Sequence, residues 1–560
     1  MYAFTVWPIL ASAATVSAPL RRLAPALIAL VFASPAAAAG IPNHRGTPVQ
    51  PLRSQSLDGH RALVELNAPL GGGARFALHA VGAKLISPQL ALWRLPNAAT
   101  ARLLPALRAQ GLVRSVTPDV ARQPLAVKRA LDACAEPLCG NEWWWTTVGA
   151  DRWTAPGPGF PVTMIDSGTD LSHPDFLGRP NTTALNTQTF STVYPEELHG
   201  TATASVVGAQ LNGQYLEGIY PQAKLQVWDA SPSGVLTVGD EIAGLSSAIA
   251  HGPGVINLSL GGGDRLPIEE HAILSAFGSG SLVVASAGNG RQEGSPPSYP
   301  ASFAHVLTIG ATDQSNRVTY FSTASVDMDL AAPGQNIPVA IPQTFARSGP
   351  PWDTYDGTSF SAPLVSGAAA GVWTLRPTLT NTQLFEVMRR SARGSGWNRN
   401  TGYGILDVPA ALLKTAPLPD PEEPNEDVFL VKPHGLFRAG HPALTSPGRR
   451  HATVRASMER GDDPEDVYRA YLPAHGKLVV NVRTSANVNL EVWGRRTRTV
   501  FERGRAAKRD LIGVSAHAGA RPERIVVKGR GLGQYVYVDV FLAKTPREAG
   551  YRLSLSTARR

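Results

Sequence analysis

Cysteine is nearly absent: Cys134 and Cys139 are the only two in 560 residues. Their close spacing could close one small disulfide in an oxidising compartment, but two cysteines exclude a disulfide-built scaffold and form no metal-binding pattern. Charge is also sparse, at 17% of residues against 43% hydrophobic, a balance that suits a globular protein with a large core. No nucleic-acid motif occurs. Past the first 40 residues no apolar run is long enough to span a bilayer. Neither a nucleic-acid partner nor a stable membrane anchor is therefore expected. Glycine and proline are plentiful, 54 and 46, so turns are many. The length suggests about three or four folded units.

The net charge of +9 conceals an asymmetry: residues 1–140 carry +9, residues 141–420 carry −10 and residues 421–560 carry +10. A basic start, an acidic middle and a basic end imply separate units. Arg21 to Gly40 has two positive charges, an apolar run and a small-residue end, the layout of an export signal with cleavage near Ala39. A further apolar stretch, Met1 to Leu20, precedes the arginines. An uncleaved anchor is the alternative, and the short apolar run argues against it. A secreted, extracellular protein is expected.

In the middle of the chain, apolar runs end abruptly in polar residues: VTMIDSG (Val162 to Gly168), LQVWDA (Leu225 to Ala230), VINLSLGGG (Val255 to Gly263) and LVVASAGNG (Leu282 to Gly290). Such runs, separated by helix-like stretches, read as buried parallel strands of an α/β fold. Working residues in open α/β sheets gather at the carboxyl ends of strands, where Asp166, Ser259 and Asn289 stand. His199 heads the small-residue run HGTATASVVGAQL, and Ser359 heads the run in DGTSFSAPLVSGAAAG. Singly, each has an ordinary explanation: a turn aspartate, a packed histidine, a helix-capping serine, a turn asparagine. Together they are the set that acyl transfer needs. A hydroxyl needs a base, an imidazole base needs a carboxylate to orient it, and the developing oxyanion needs fixed donors.

The order Asp, His, Ser, with VTMIDSGTDLSHPDF, HGTATASVVG, SLGGG, SAGNG and GTSFSAP in sequence, resembles the subtilisin-like serine peptidases over residues of about 141–414. YPASFAHVLTIGATD and FSTASVDMDLAAPGQNI add to the likeness. The resemblance implies a parallel sheet of seven strands with helices on both faces, and endopeptidase activity on proteins or peptides. It implies Ser359 as nucleophile, His199 as general base, Asp166 as its orienting group, Asn289 as oxyanion donor, and Ser259, Leu260 and Gly261 as the strand that pairs with substrate. Pro363 is expected in the first turn of the helix behind Ser359, where a missing N–H costs little. The chemistry implies no cofactor. The stretch Gln210 to Pro221 lies where relatives often carry a calcium loop. Asn212 could supply one ligand, but the stretch shows no evident carboxylate ligands, so structural calcium is left open and no metal ligand is assigned. Arg291 after Asn289 leans away from a preference for basic residues before the cut bond. The sedolisin group, which uses carboxylates in place of histidine, is disfavoured by HGT at His199. A catalytically dead scaffold is disfavoured by the complete set.

The expected organisation is a signal peptide at 1–39, an α+β pro-domain at 40–125, a peptidase domain at 140–414, a Pro- and acid-rich linker at 415–430 and an all-β sandwich at 431–560. RALVELNA, LALWRLP and GLVRSVTPDV read as strands and TARLLPALRAQG as a helix stopped at Gly111. These resemble the inhibitory pro-domain of the same peptidases, a built-in partner, with processing between about Arg122 and Glu142. Trp143, Trp144 and Trp145 are expected to pack onto the core rather than form a sugar platform. DVYRAYLP, KLVVNVRT, NVNLEVWG, YVYVDVFL and YRLSLS alternate apolar and polar residues and resemble the pre-peptidase C-terminal domains of secreted bacterial peptidases.

Overall fold

The computed structural model describes residues 61–119, 123–124, 127–128, 142–189, 195–346 and 349–558. The export-signal segment and both cysteines lie outside the described residues.

The chain opens with a four-stranded antiparallel sheet. Its strands are β1 (Ala62–Leu66), β2 (Lys84–Ser87), β3 (Leu92–Leu95) and β4 (Val113–Pro118), in the order β2-β3-β1-β4. Helices Gly72–Ala80 and Asn97–Ala109 complete the unit. The sequence patterns foresee β1, β3, β4 and the second helix, but not β2 or the Gly72–Ala80 helix. The unit has its own core, including Val64, Leu78, Trp93 and Leu104. Two short strands follow, β5 (Gln123–Pro124) and β6 (Val127–Lys128).

Seven parallel strands form the main sheet: β7 (Pro161–Asp166), β8 (Thr182–Ala184), β9 (Lys224–Asp229), β10 (Val255–Leu258), β12 (Leu282–Ser286), β13 (Val306–Thr312) and β14 (Leu330–Pro333). Their order is β14-β13-β12-β10-β7-β9-β8. The two-residue β11 (Leu260–Gly261) follows β10. Alternate residues feed opposite faces. Val162 and Met164 of β7 enter one core with the helices His199–Gly208 and Thr358–Leu375, while Ile165 enters the other with helices Val238–Ala250 and Pro267–Gly278. Leu282 and Val284 of β12 alternate with Val283 and Ala285 in the same way. This double burial is why the strands are continuously apolar in sequence. Each fully buried side chain of this kind contributes about 1.5–3 kcal/mol, so both faces must be covered. Trp144 is buried and stacks on Trp145 with centroids 5.0 Å apart, and Trp143 also packs on this core.

Strands β15 (Ile337–Ala340) and β16 (Trp352–Asp356) form an antiparallel pair leading into the Thr358–Leu375 helix. Pro363 is the sixth residue of that helix, not in its first turn as the sequence suggests.

The C-terminal part is a sandwich of two four-stranded antiparallel sheets. One comprises β17 (His451–Glu459), β19 (Lys477–Thr484), β22 (Glu523–Lys528) and β24 (Glu548–Ala558), in the order β17-β24-β19-β22. The other comprises β18 (Glu465–Leu472), β20 (Val488–Trp493), β21 (Leu511–Ser515) and β23 (Gln534–Leu542), in the order β18-β23-β20-β21. Val480, Leu490, Val538 and Leu553 meet in its core. The acidic segment between the two units is not a solvated spacer. Asn425, Glu426 and Asp427 are buried and a short helix, Val428–Val431, packs into the core of the main sheet.

Candidate active site

Asp166 is the last residue of β7 and is buried. Its Oδ1 accepts the Ser167 N–H at 2.8 Å and its Oδ2 accepts the Thr203 hydroxyl at 3.0 Å. Oδ1 also lies 2.6 Å from Nδ1 of His199, the first residue of its helix. Gly200 makes this approach possible, because a Cβ there would stand 1.8 Å from the Ser167 carbonyl oxygen. The helix therefore packs directly against the loop that follows Asp166. An ionised carboxylate can only accept, which puts the imidazole proton on Nδ1. His199 Nε2 is buried with no hydrogen-bond partner, so its lone pair is available.

Ser359 is the second residue of the Thr358–Leu375 helix. Its neighbour Phe360 has its ring centroid 6.0 Å from that of His199, which brings the two helix starts together. The Ser359 hydroxyl donates to the Ser259 carbonyl at 3.2 Å, and the Ser259 hydroxyl donates back to the Ser359 carbonyl at 2.9 Å. Proline explains the second bond. Pro363 has no N–H, so the carbonyl four residues earlier, that of Ser359, lacks its helical donor. The Ser259 hydroxyl takes the place of that donor. Ser259 is in turn oriented by the Asn257 side-chain amide at 2.9 Å.

Asn289 follows β12 through Gly288, whose φ of +98° is a left-handed conformation suited to glycine. Its Oδ1 accepts both the backbone N–H (3.1 Å) and the hydroxyl (3.0 Å) of Thr358. Two donors on one atom fix the orientation of the amide and make Nδ2 its donor end. Thr358 also accepts the Gly288 N–H at 3.2 Å. Leu260 and Gly261 form β11, which pairs antiparallel with β5. Asp166, Ser259 and Asn289 thus stand at or just past the carboxyl ends of β7, β10 and β12, and His199 and Ser359 at the starts of their helices. Sequence reading missed Thr203 and Thr358, which lie within HGTATASVVG and GTSFSAP as unremarked members.

The site for calcium can be tested on the loop Gln210 to Pro221. Asn212 uses its amide locally, donating to Pro174 O at 2.8 Å and accepting from Gln214 N at 3.0 Å. Two carboxylates reach the loop from elsewhere in the chain. Asp175 Oδ1 accepts Tyr215 N at 3.4 Å and Glu142 Oε1 accepts Glu217 N at 3.1 Å. Burial pushes the Asp175 carboxyl up to about 7 and, with the Glu217 and Asp175 charges, the Glu142 carboxyl up to about 8. Asp175 Oδ2 is buried without a hydrogen-bond partner. Oxygen donors of this kind fit a hard cation.

Residues 157–404 match a sequence model described as Subtilase family. Over 260 residues, 46% of this chain, the sequence is 34% identical to Subtilisin E of Bacillus subtilis (strain 168) and spans 66% of that protein's length. It is 33% identical over 260 residues to a subtilisin of Bacillus pumilus, spanning 91% of that protein. Subtilisin Savinase of Lederbergia lenta is 33% identical over 265 residues, again with 91% spanned. Among solved structures, fervidolysin from Fervidobacterium pennivorans, described as a keratinolytic enzyme related to subtilisin, has a similar fold. Its TM-score is 0.52 at 19% identity, with 84% of this chain and 85% of that one covered.

Proposed function

Since this chain belongs to the subtilase family, we propose that it is a secreted serine endopeptidase made as a self-processing precursor, with Asp166, His199 and Ser359 as its catalytic residues. His199 Nε2 takes the proton from Ser359 Oγ as that oxygen bonds to the substrate carbonyl carbon. The imidazolium is stabilised by Asp166 and then gives the proton to the leaving amine, and water releases the acyl group by the reverse sequence. Asn289 Nδ2 and the Ser359 N–H donate to the oxyanion. Ser259, Leu260 and Gly261 hold the substrate backbone. The chemistry requires no metal. Calcium near Asp175 and Glu142 would serve structure. The Arg21 to Gly40 layout supports export.

The observation that carries the reading is the buried 2.6 Å contact between His199 Nδ1 and Asp166 Oδ1, which leaves Nε2 unpartnered. His271 has the same pattern against Glu65, so what sets His199 apart is its place at the helix start that meets Phe360, the neighbour of Ser359. A serine-directed fluorophosphonate probe tests it. Peptide mapping should find the label on Ser359 in the parent and none after His199→Ala. A label elsewhere, or none in the processed parent, contradicts the assignment.

Two strand pairs support a pro-domain at 40–125 that inhibits its own enzyme. Pro124 lies opposite Leu260 and Gln123 opposite Gly261, while Val127 lies opposite Asp356 and Lys128 opposite Tyr355. Asp356 is three residues before Ser359, and β11 follows Ser259, whose carbonyl accepts the Ser359 hydroxyl. Strands on either side of residues 125–126 in sequence are thus paired next to the Ser359 segment, which supports a cut at one of the three peptide bonds of the stretch 124–127. The middle one, Leu125–Ala126, is the bond assigned to self-processing. A leucine before that bond agrees with a pocket that does not favour Lys or Arg.

A further inference from the structure

Where the main sheet meets the C-terminal sandwich, buried carboxylates outnumber the cations that reach them. Asp420 and Glu423 come from the acidic segment and Asp466 from β18, beside Asp463. Asp420, Glu423, Asp463 and His305 line a cavity of about 40 Å³, room for a small ion or about three water molecules.

Asp420 and Glu423 are each held by a protein donor through one oxygen, and Asp466 through both. Asp420 Oδ2 accepts the Ser457 N–H and hydroxyl at 2.7 and 3.2 Å, and Glu423 Oε1 accepts the Asn425 amide at 2.7 Å. Asp466 Oδ2 accepts the Tyr551 hydroxyl at 2.6 Å, while its Oδ1 has the Tyr468 hydroxyl only at 3.4 Å. The second oxygens of Asp420 and Glu423 are left over. Asp420 Oδ1, Glu423 Oε2 and Asp463 Oδ1 are buried with no hydrogen-bond partner. The Glu423 side chain is 4% exposed and Asp463 is 9% exposed. A carboxylate taken out of water without a counter-charge is strongly disfavoured. His305 supplies at most one charge for the whole cluster: its Nε2 is bonded to Glu426 and stands 3.5 Å from Glu423. Arg389 is occupied by Glu386 and Asp329. Among the described residues, no lysine or arginine forms an ion pair with Asp420, Glu423 or Asp466.

Ligand oxygens of Asp420, Glu423 and Asp466 lie within 4.8 Å of one another. Two oxygens on one Ca²⁺ at 2.3–2.6 Å can be at most about 5 Å apart, so a single ion can bridge them. We propose that Asp420, Glu423 and Asp466, with Asp463 beside them, bind a Ca²⁺ ion that ties the acidic segment to the sandwich. Donors that are all oxygen select a hard cation. Several carboxylates from the protein suit the flexible shell of Ca²⁺ better than that of Mg²⁺, which takes one or two carboxylates in near-ideal octahedral geometry. The protein groups that hold the first oxygens are the outer support that carboxylate ligands of metals require.

The test uses the full-length chain with Ser359→Ala, so that self-digestion does not distort melting. The chain is stripped by a chelator and titrated with CaCl₂, counting bound ions by calorimetry. Glu423→Gln and Asp466→Asn should each lose one ion per chain and the matching part of the calcium-dependent rise in Tm. In chelator, Glu423→Gln should melt at or above the parent, because one uncompensated charge is gone. Unchanged calcium stoichiometry in Glu423→Gln overturns the proposal, whatever its Tm. If Asp466→Asn does not fold, terbium replaces it as a readout. Tyr551 and Tyr468, beside Asp466, should sensitise Tb³⁺ emission in the parent, and Glu423→Gln should lower it to what an ion at Asp175 and Glu142, beside Tyr215 and Trp145, contributes. Equal emission in both proteins overturns the proposal.

Discussion

Ser359 is gripped by one neighbour on two of its atoms, and the grip originates in a proline. Because Pro363 withholds a donor, the Ser359 carbonyl is free for the Ser259 hydroxyl. Asn289 is oriented in a comparable way, through Thr358. Since its Nδ2 meets the oxyanion mainly in the transition state, Asn289→Ala should lower kcat by about 10²–10³ and leave KM little changed. That magnitude is the one found for loss of such a donor in subtilisin and is carried over from there. Thr358→Val keeps the side-chain shape but removes the hydroxyl bond to Asn289. It should therefore lower kcat by about tenfold, less than Asn289→Ala, again without raising KM. Michaelis parameters on a peptide substrate check both, and a rise in KM at constant kcat would sink the oxyanion role.

At the scale of elements, the acidic segment 417–427 departs most from its sequence reading. Asp427 caps the Val428–Val431 helix, and its Oδ1 accepts Val428 N at 2.7 Å and Val500 N at 2.9 Å. Burial pushes its carboxyl up to about 7 from an ordinary 3.8, against the pull of those two N–H groups. The folded state therefore keeps a proton that the unfolded chain releases near pH 4. This group's stabilising contribution is full below pH 4 and is lost as pH rises through about 7. Asp427→Asn keeps an acceptor oxygen for both donors, so Tm should fall less steeply between pH 4 and 8 and lie above the parent at pH 8. An unchanged slope contradicts the assignment. The sequence reads this segment as a spacer because Pro and acidic residues occur in both solvated linkers and buried junctions, and only the tertiary partners distinguish them. The main sheet was legible for the opposite reason. Its strands are buried on both faces, so their apolar runs are unbroken and end at Asp166 and Asn289. In contrast, β22 alternates buried and exposed residues within a charged stretch, and β21 is short and partly exposed. Periodicity alone does not separate such strands from loops. The carboxylates near Asn212 were hidden because Asp175 and Glu142 lie far from that loop in sequence.

For the whole molecule, the N-terminal unit meets the main domain through charge as well as apolar surface. Arg94 reaches Asp240 at 3.3 Å and Glu65 reaches His271 at 3.0 Å across the junction, while Asp119 and Arg114 of the same unit hold Arg94 at 2.7 Å and Glu65 at 3.1 Å. Asp119 also accepts Gly239 N at 2.9 Å, at the start of the Val238–Ala250 helix. Without the two signal arginines the segment before the main domain carries +7, against −10 on residues 141–420. Residues 41–123 added in trans should inhibit the processed enzyme, and association should slow as salt rises from low to roughly physiological levels. Association rates measured at two salt concentrations check this. A salt-independent rate removes the electrostatic contribution, and absence of inhibition removes the pro-domain reading. The central claim is that Ser359 cuts its own precursor, and N-terminal sequencing with intact mass of the purified protein tests it most directly. The account predicts that the parent yields a chain beginning at Ala126, while Ser359→Ala folds and remains joined through the Leu125–Ala126 bond. A Ser359→Ala protein cut at the same bond in purified form would contradict it.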